Sequence, residues 1–134
     1  MLWSIPYPAD QHYYSVAAEN NVQVFVIPNR LVSVYVLNVS AAEIYVVVSD
    51  TAAGPAAPVA GNKTMYAIYP CGTAGADGYV AISTHGGDQL KNGLYVAAYT
   101  TAAKALAGGA PDAGNVLVIK ADWTRGYLPN PAAV

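Results

Sequence analysis

The feature that most constrains this chain is a set of short apolar segments in which aliphatic residues hold one alternating phase and tyrosines hold the other. In Leu31–Asn38, Val32, Val34 and Val36 share a phase opposed by Ser33 and Tyr35. Ile44–Ser49 sets Ile44, Val46 and Val48 against Tyr45, Val47 and Ser49, and Leu94–Tyr99 sets Leu94, Val96 and Ala98 against Tyr95, Ala97 and Tyr99. A period of two is the period of a strand with two unlike faces. If the aliphatic phase fills a core, the other face is rigid, weakly charged and rich in tyrosine, which suits lasting protein contact better than open water.

Extending the same pattern gives strands at about 22–27, 31–38, 43–49, 64–69, 78–83, 93–100 and 115–123, each rich in Val, Ile or Tyr and bounded by turn residues. The expected fold is all-β, an antiparallel β-sandwich of about seven to eight strands, jelly-roll or Greek-key like. Pro28-Asn29-Arg30 reads as a tight turn, Asn38 to Ala42 as a hairpin loop, Gly54-Pro55 to Gly61-Asn62 as a longer loop, and Gly72 to Gly78 and Gly86-Gly87 as reversals. Thr100–Ala107 fits either a helical turn ended by Gly108-Gly109 or a loop. Residues 1–20, with Pro6 and Pro8, read as an extended N-terminal arm. Residues 21–123 form the sandwich domain. The sheet is expected to stop near Asp122, and residues 124–134, with Gly126, Pro129 and Pro131, read as an extended tail.

Charge narrows the range of partners. Charged residues make up 10% of the 134, against roughly 25% in ordinary soluble domains, so little protects the surface against association. Six dispersed Lys and Arg at a net charge of −2 supply no basic stripe for phosphates, so no nucleic-acid partner is expected. The apolar stretch Val22–Val48 is broken by Pro28, Asn29, Arg30, Asn38 and Glu43, and no membrane span is expected. MLWSIPYPADQHYYS has no leading basic residue and no long apolar run, and does not read as a secretory signal. Cys71 is the only cysteine, flanked by Tyr69, Pro70 and Gly72, with no base or cation to activate it.

Candidate chemistry is sparse. Ser83, His85 and Asp88 carry the side-chain types of a nucleophile, base and orienter, but residues so close in sequence do not supply triad geometry, and a polar turn is the simpler reading. The eight acidic residues are dispersed, so no metal site is expected, and no Gly-rich loop with a following Lys cradles a phosphate. No catalytic residue and no cofactor is assigned. Asn38-Val39-Ser40 and Asn62-Lys63-Thr64 match the glycosylation pattern but read as turns. Eleven tyrosines against one phenylalanine favour rings with a polar tip at half-wet positions. The candidate interface residues are Tyr35, Tyr45, Tyr79, Tyr95 and Tyr99, with Trp3 and Tyr7 of the arm.

The stretches LVSVYVLNVSAAEIYVVVSDTAAGPAAP and LKNGLYVAAYTTAAKALAGGAPDAGNVLVIKADW, separated by a short strand, resemble virion accessory proteins of tailed bacteriophages over roughly residues 30–123. The resemblance lies in the order of strands and small-residue loops. It implies a small β-sandwich that decorates or cements a capsid as a symmetric homo-oligomer, a trimer being favoured, with the major capsid protein or another virion protein as partner. It implies a location on the virion surface after synthesis in the bacterial cytoplasm, and it carries no catalytic residues. The alternative expectation is a carbohydrate-binding or host-attachment module that stacks sugars on exposed tyrosines and on Trp3 or Trp123.

Overall fold

A computed structural model of the chain describes residues 9–52, 65–73, 78–107 and 109–125. Among the described residues, eight strands form two four-stranded sheets: β1 (Gln11–Tyr14), β2 (Asn21–Phe25), β3 (Asn29–Asn38), β4 (Ile44–Ser49), β5 (Met65–Cys71), β6 (Tyr79–Leu90), β7 (Leu94–Tyr99) and β8 (Leu117–Arg125). Helix α1 (Ala102–Ala107) lies between β7 and β8. The first sheet runs β1-β8-β3-β6 and the second β2-β7-β4-β5. Every pair is antiparallel, and each strand of the first half meets its mirror in the second: β1 with β8, β2 with β7, β3 with β6, β4 with β5. That nested wrapping of a chain that repeatedly crosses between two sheets is a jelly roll.

The wrapping corrects several local expectations. Asn38–Ala42 does not close a hairpin, because β3 and β4 belong to opposite sheets and the segment carries the chain across. Asn38 holds that corner: its Nδ2 donates to the carbonyls of Ala42 (2.8 Å) and Gly72 (2.7 Å), and its Oδ1 accepts from Ser40 N and Oγ. The N-terminal arm does not extend through residue 20. Gln11–Tyr14 is an edge strand in register with Trp123–Lys120, and Asp10 N–H donates to the Trp123 carbonyl. The sheet does not stop near Asp122 either, since β8 runs to Arg125 beside β3. Gly86-Gly87 marks a bulge within β6 and not a reversal: Ser33 pairs with Ser83 and Leu31 with Asp88, so Val32 stands opposite Thr84 to Gly87. Thr84 Oγ1, 2.7 Å from the Leu31 carbonyl oxygen and 2.9 Å from that of Val32, secures it.

β3 carries its own bulge against β8: Leu31 pairs with Trp123 and Ser33 with Asp122, so Val32 is inserted and the phase of β3 shifts. Leu31, Val34 and Val36 face the core, while Val32 is only half-buried. The core otherwise takes the expected aliphatic phases: Ile44, Val46 and Val48 of β4, Leu94, Val96 and Ala98 of β7, and Leu117, Ile119 and Ala121 of β8. Phe25 of one sheet and Trp123 of the other close one end, ring centroids 5.1 Å apart. Cys71 is buried in this core, and burial pushes its thiol above the ordinary value.

The outer faces of the two sheets differ. On the second, Val47, Tyr95, Ala97 and Tyr99 form a separate buried cluster with Ala105 of α1. Thr101 caps this short helix, its Oγ1 accepting from Lys104 N–H. Small residues at Ala97 and Ala105 let the helix lie close. Asp112 ties the returning loop down by accepting from Thr100 N–H, Thr100 Oγ1–H and Lys104 Nζ (2.6 Å), and Tyr99 Oη donates to the Gly109 carbonyl. Gly109 and Gly114 both have positive φ, which the loop's sharp turns require.

Candidate protein-docking face

The outer face of the first sheet is left open by the described residues, and its composition follows from cross-strand register. Residues directly opposite in antiparallel strands share a face. One row therefore reads His12 (β1), Asp122 (β8), Ser33 (β3), Ser83 (β6); the next reads Tyr14, Lys120, Tyr35, Ala81; the third reads Val118, Leu37, Tyr79. Polarity falls along the strands from the first row to the third.

The second and third rows form a shallow groove of about 290 Å³. Tyr14 is 64% exposed, Tyr35 43%, Leu37 46% and Tyr79 66%, so four large apolar side chains of one face meet solvent together. Contiguous apolar exposure singles this face out as the candidate docking surface, as isolated exposed apolar residues would not. Lys120 is the one cation in these two rows. Its Nζ lies 5.9 Å from the centroid of the Tyr35 ring and 3.4 Å from Asp122 Oδ2, which fixes the ammonium between aromatic and acidic neighbours.

The polar row is a clasp. His12 Nδ1 is 2.5 Å from Asp122 Oδ1, and Ser33 Oγ donates to Asp122 Oδ2 at 3.0 Å. Burial alone would push the Asp122 carboxyl up, but His12, Ser33 and Lys120 together hold it below its ordinary value. Imidazole and hydroxyl both bond to the carboxylate and not to each other. The imidazole therefore does not sit on the serine, and the trio fastens edge strand β1 to β8 without the serine–histidine contact of a catalytic triad. The bulge sets Ser83 and Asp88 apart in register along β6, opposite Ser33 and Leu31; the His85 side chain lies outside the described residues.

Of the seven residues expected at an interface, Tyr35 and Tyr79 are on this face and exposed. Tyr45 is half-buried at the rim of the second cluster, where its hydroxyl donates to Glu43 Oε1. Tyr95 and Tyr99 do not belong at a subunit contact: they are 0% and 1% exposed because α1 and its loop pack over their side of the second sheet. Trp3 and Tyr7 lie outside the described residues. Trp123 is not a stacking platform for sugars, being 8% exposed and packed on Phe25. The expected set lacks Tyr14, Leu37, Val118 and Lys120. Reading β8 with period two separates Val118, Lys120 and Asp122 from Leu117, Ile119, Ala121 and Trp123, which would have found two of them. Tyr14 carries no such signal, since the four residues of β1 are too few to show a period.

Comparison with known proteins gives no match: no family model fits the chain, and neither a curated protein nor a solved structure is significantly similar to it. Among the described residues, no helix is long and apolar enough to cross a membrane.

Proposed function

We propose that this protein is a non-enzymatic structural component of a tailed-phage virion, a decoration protein that oligomerises and cements the shell. The observation that carries the reading is the face of the first sheet that the described residues leave open, where Tyr14, Tyr35, Leu37 and Tyr79 surround Lys120. A rigid strand-borne surface of tyrosines costs little entropy on binding, and its amphipathic rings are typical of lasting protein interfaces. The partner surface that suits it is apolar with one acidic group opposite Lys120. The jelly roll supports the reading only in general terms, because the same architecture serves viral capsids and lectins alike. Of the alternative, glycan stacking, Trp123 can take no part, and the groove is mostly apolar where a sugar site needs polar groups beside the ring.

Binding only the assembled shell would stabilise it by mass action. Two measurements test this. Light scattering after size-exclusion chromatography should give one stable oligomer, and Leu37→Asp should shift it toward monomer without lowering the melting temperature of the fold, because Leu37 faces solvent. Shells assembled with the wild-type chain should break at a higher temperature than shells given Leu37→Asp. Equal shell stability with and without the chain overturns the cement role.

A further inference from the structure

On the covered side of the second sheet, a second row of register partners lies across three strands: Gln23 of β2 opposite Tyr95 of β7, and Tyr95 opposite Ser49 of β4. Gln23 Oε1, Tyr95 Oη and Ser49 Oγ are all shut off from solvent, and none has a hydrogen-bond partner among the described residues. Tyr95 and Ser49 are each 0% exposed. The orientation of the Gln23 amide is decided by its surroundings. Its Nε2 faces the carbonyl oxygens of Phe25 (2.9 Å), Thr51 (2.6 Å) and Leu94 (3.0 Å), and an amide oxygen in that place would meet only acceptors. Among the described residues Oε1 is therefore an unpaired acceptor, standing in the same row as two unpaired hydroxyls.

A buried polar group without a partner carries a large desolvation penalty, and native proteins rarely leave one. Gln23 and Ser49 flank Tyr95 in the two adjacent strands, so ordered water between neighbours would serve all three groups. We propose that the Gln23–Tyr95–Ser49 row is an internal hydration site, holding one or more ordered waters that donate to Gln23 Oε1 and accept from the hydroxyls of Tyr95 and Ser49, each between neighbours in adjacent strands. Buried waters characteristically make about three such bonds. All three groups are neutral and the row contains no carboxylate, so it suits water and not a hard cation. The neighbouring burial and Tyr99 keep the Tyr95 phenol protonated, and thus a donor.

Two experiments on the full chain decide it. A crystal structure at about 1.5 Å or better should show water within hydrogen-bond distance of at least two of the three atoms; dry density there overturns the proposal. Tyr95→Phe leaves the ring in place and removes only the hydroxyl, so it should lower the melting temperature by about 3–6 °C, the loss expected for one bridged hydrogen bond. A dry, unpaired phenol would instead be relieved by the same change, and an unaltered or raised melting temperature overturns the proposal. Ser49→Ala gives a second reading of the same sign with a smaller change in volume.

Discussion

Gly93→Ala tests how the strands of this jelly roll are held in place. Gly93 lies in the turn that carries the chain from β6 in one sheet to β7 in the other, and Asp50 accepts from the N–H groups of Lys91, Asn92 and Gly93 there. A Cβ at this position would stand 2.4 Å from the Phe25 carbonyl oxygen, 2.9 Å from that of Thr51 and 3.1 Å from Val26 Cα. All three are backbone atoms, so no rotamer relieves the overlap. The two oxygens are also acceptors for Gln23 Nε2, and moving them away weakens those bonds. Overpacking of this kind costs about 1–3 kcal/mol. Each hydrogen bond lost adds about 1 kcal/mol. Taken together the change should cost about 3 kcal/mol. For a chain of 134 residues that corresponds to a fall of about 10 °C in melting temperature. Scanning calorimetry or thermal circular dichroism reads it directly. Gly114→Ala is the control: its φ of +73° strains an alanine, but nothing lies within 4 Å of the added carbon, and the expected cost is about 1 kcal/mol. A Gly93→Ala protein that melts within about 3 °C of wild type, or no lower than Gly114→Ala, refutes the close approach.

Three further outcomes follow from particular contacts. Asn38→Ala strips the hydrogen bonds from a buried corner, leaves the Gly72 carbonyl without that donor, and should cost about 2–4 kcal/mol, read as a lower urea midpoint at unchanged slope; for the same reason wild-type chain passed through a glycosylating secretory pathway should carry no glycan at Asn38 in mass spectra. The Lys104 ammonium, with Thr100, holds Asp112 down to about 2 against an ordinary 3.8, so its contribution is fully present above pH 3.8 and is lost as the pH falls through 2. Because the group is largely exposed, the effect should stay below about 1 kcal/mol, seen as lower protection of α1 amides against hydrogen exchange at pH 2 than at pH 5, a difference that Asp112→Asn should abolish. Ser33→Ala should leave the sheet intact but loosen β1, raising amide exchange in Gln11–Tyr14 more than in β3; equal protection would mean that backbone pairing alone holds the edge strand.

Period-two patterning located strands β2 to β8 to within a few residues, except where β6 runs on beyond its expected end, and put the right aliphatic residues in the core. That reading succeeds wherever a strand is long and buried on one side, as in β4 and β7. It failed at β1, where Gln, His and two tyrosines give no phase, and at Val32, where an inserted bulge residue moved Leu31 into the core in its place. Gly86-Gly87 misled because glycine serves a bulge as readily as a reversal.

What the residues determined by themselves is the alternation: which side chains share a face, how little charge the chain carries, and hence a two-sheet fold with aromatic outer surfaces. Tertiary structure alone decided which of those surfaces stays open. Tyr35 and Tyr95 occupy equivalent phases in equivalent strands, yet one meets solvent and the other is buried. The difference lies in where the chain goes after β7, laying α1 and the Asp112-anchored loop over the second sheet while the first receives no such cover from the described residues. Periodicity is a local property of a strand, and what packs on its outer face depends on segments distant in sequence, so no alternation within a strand carries that information.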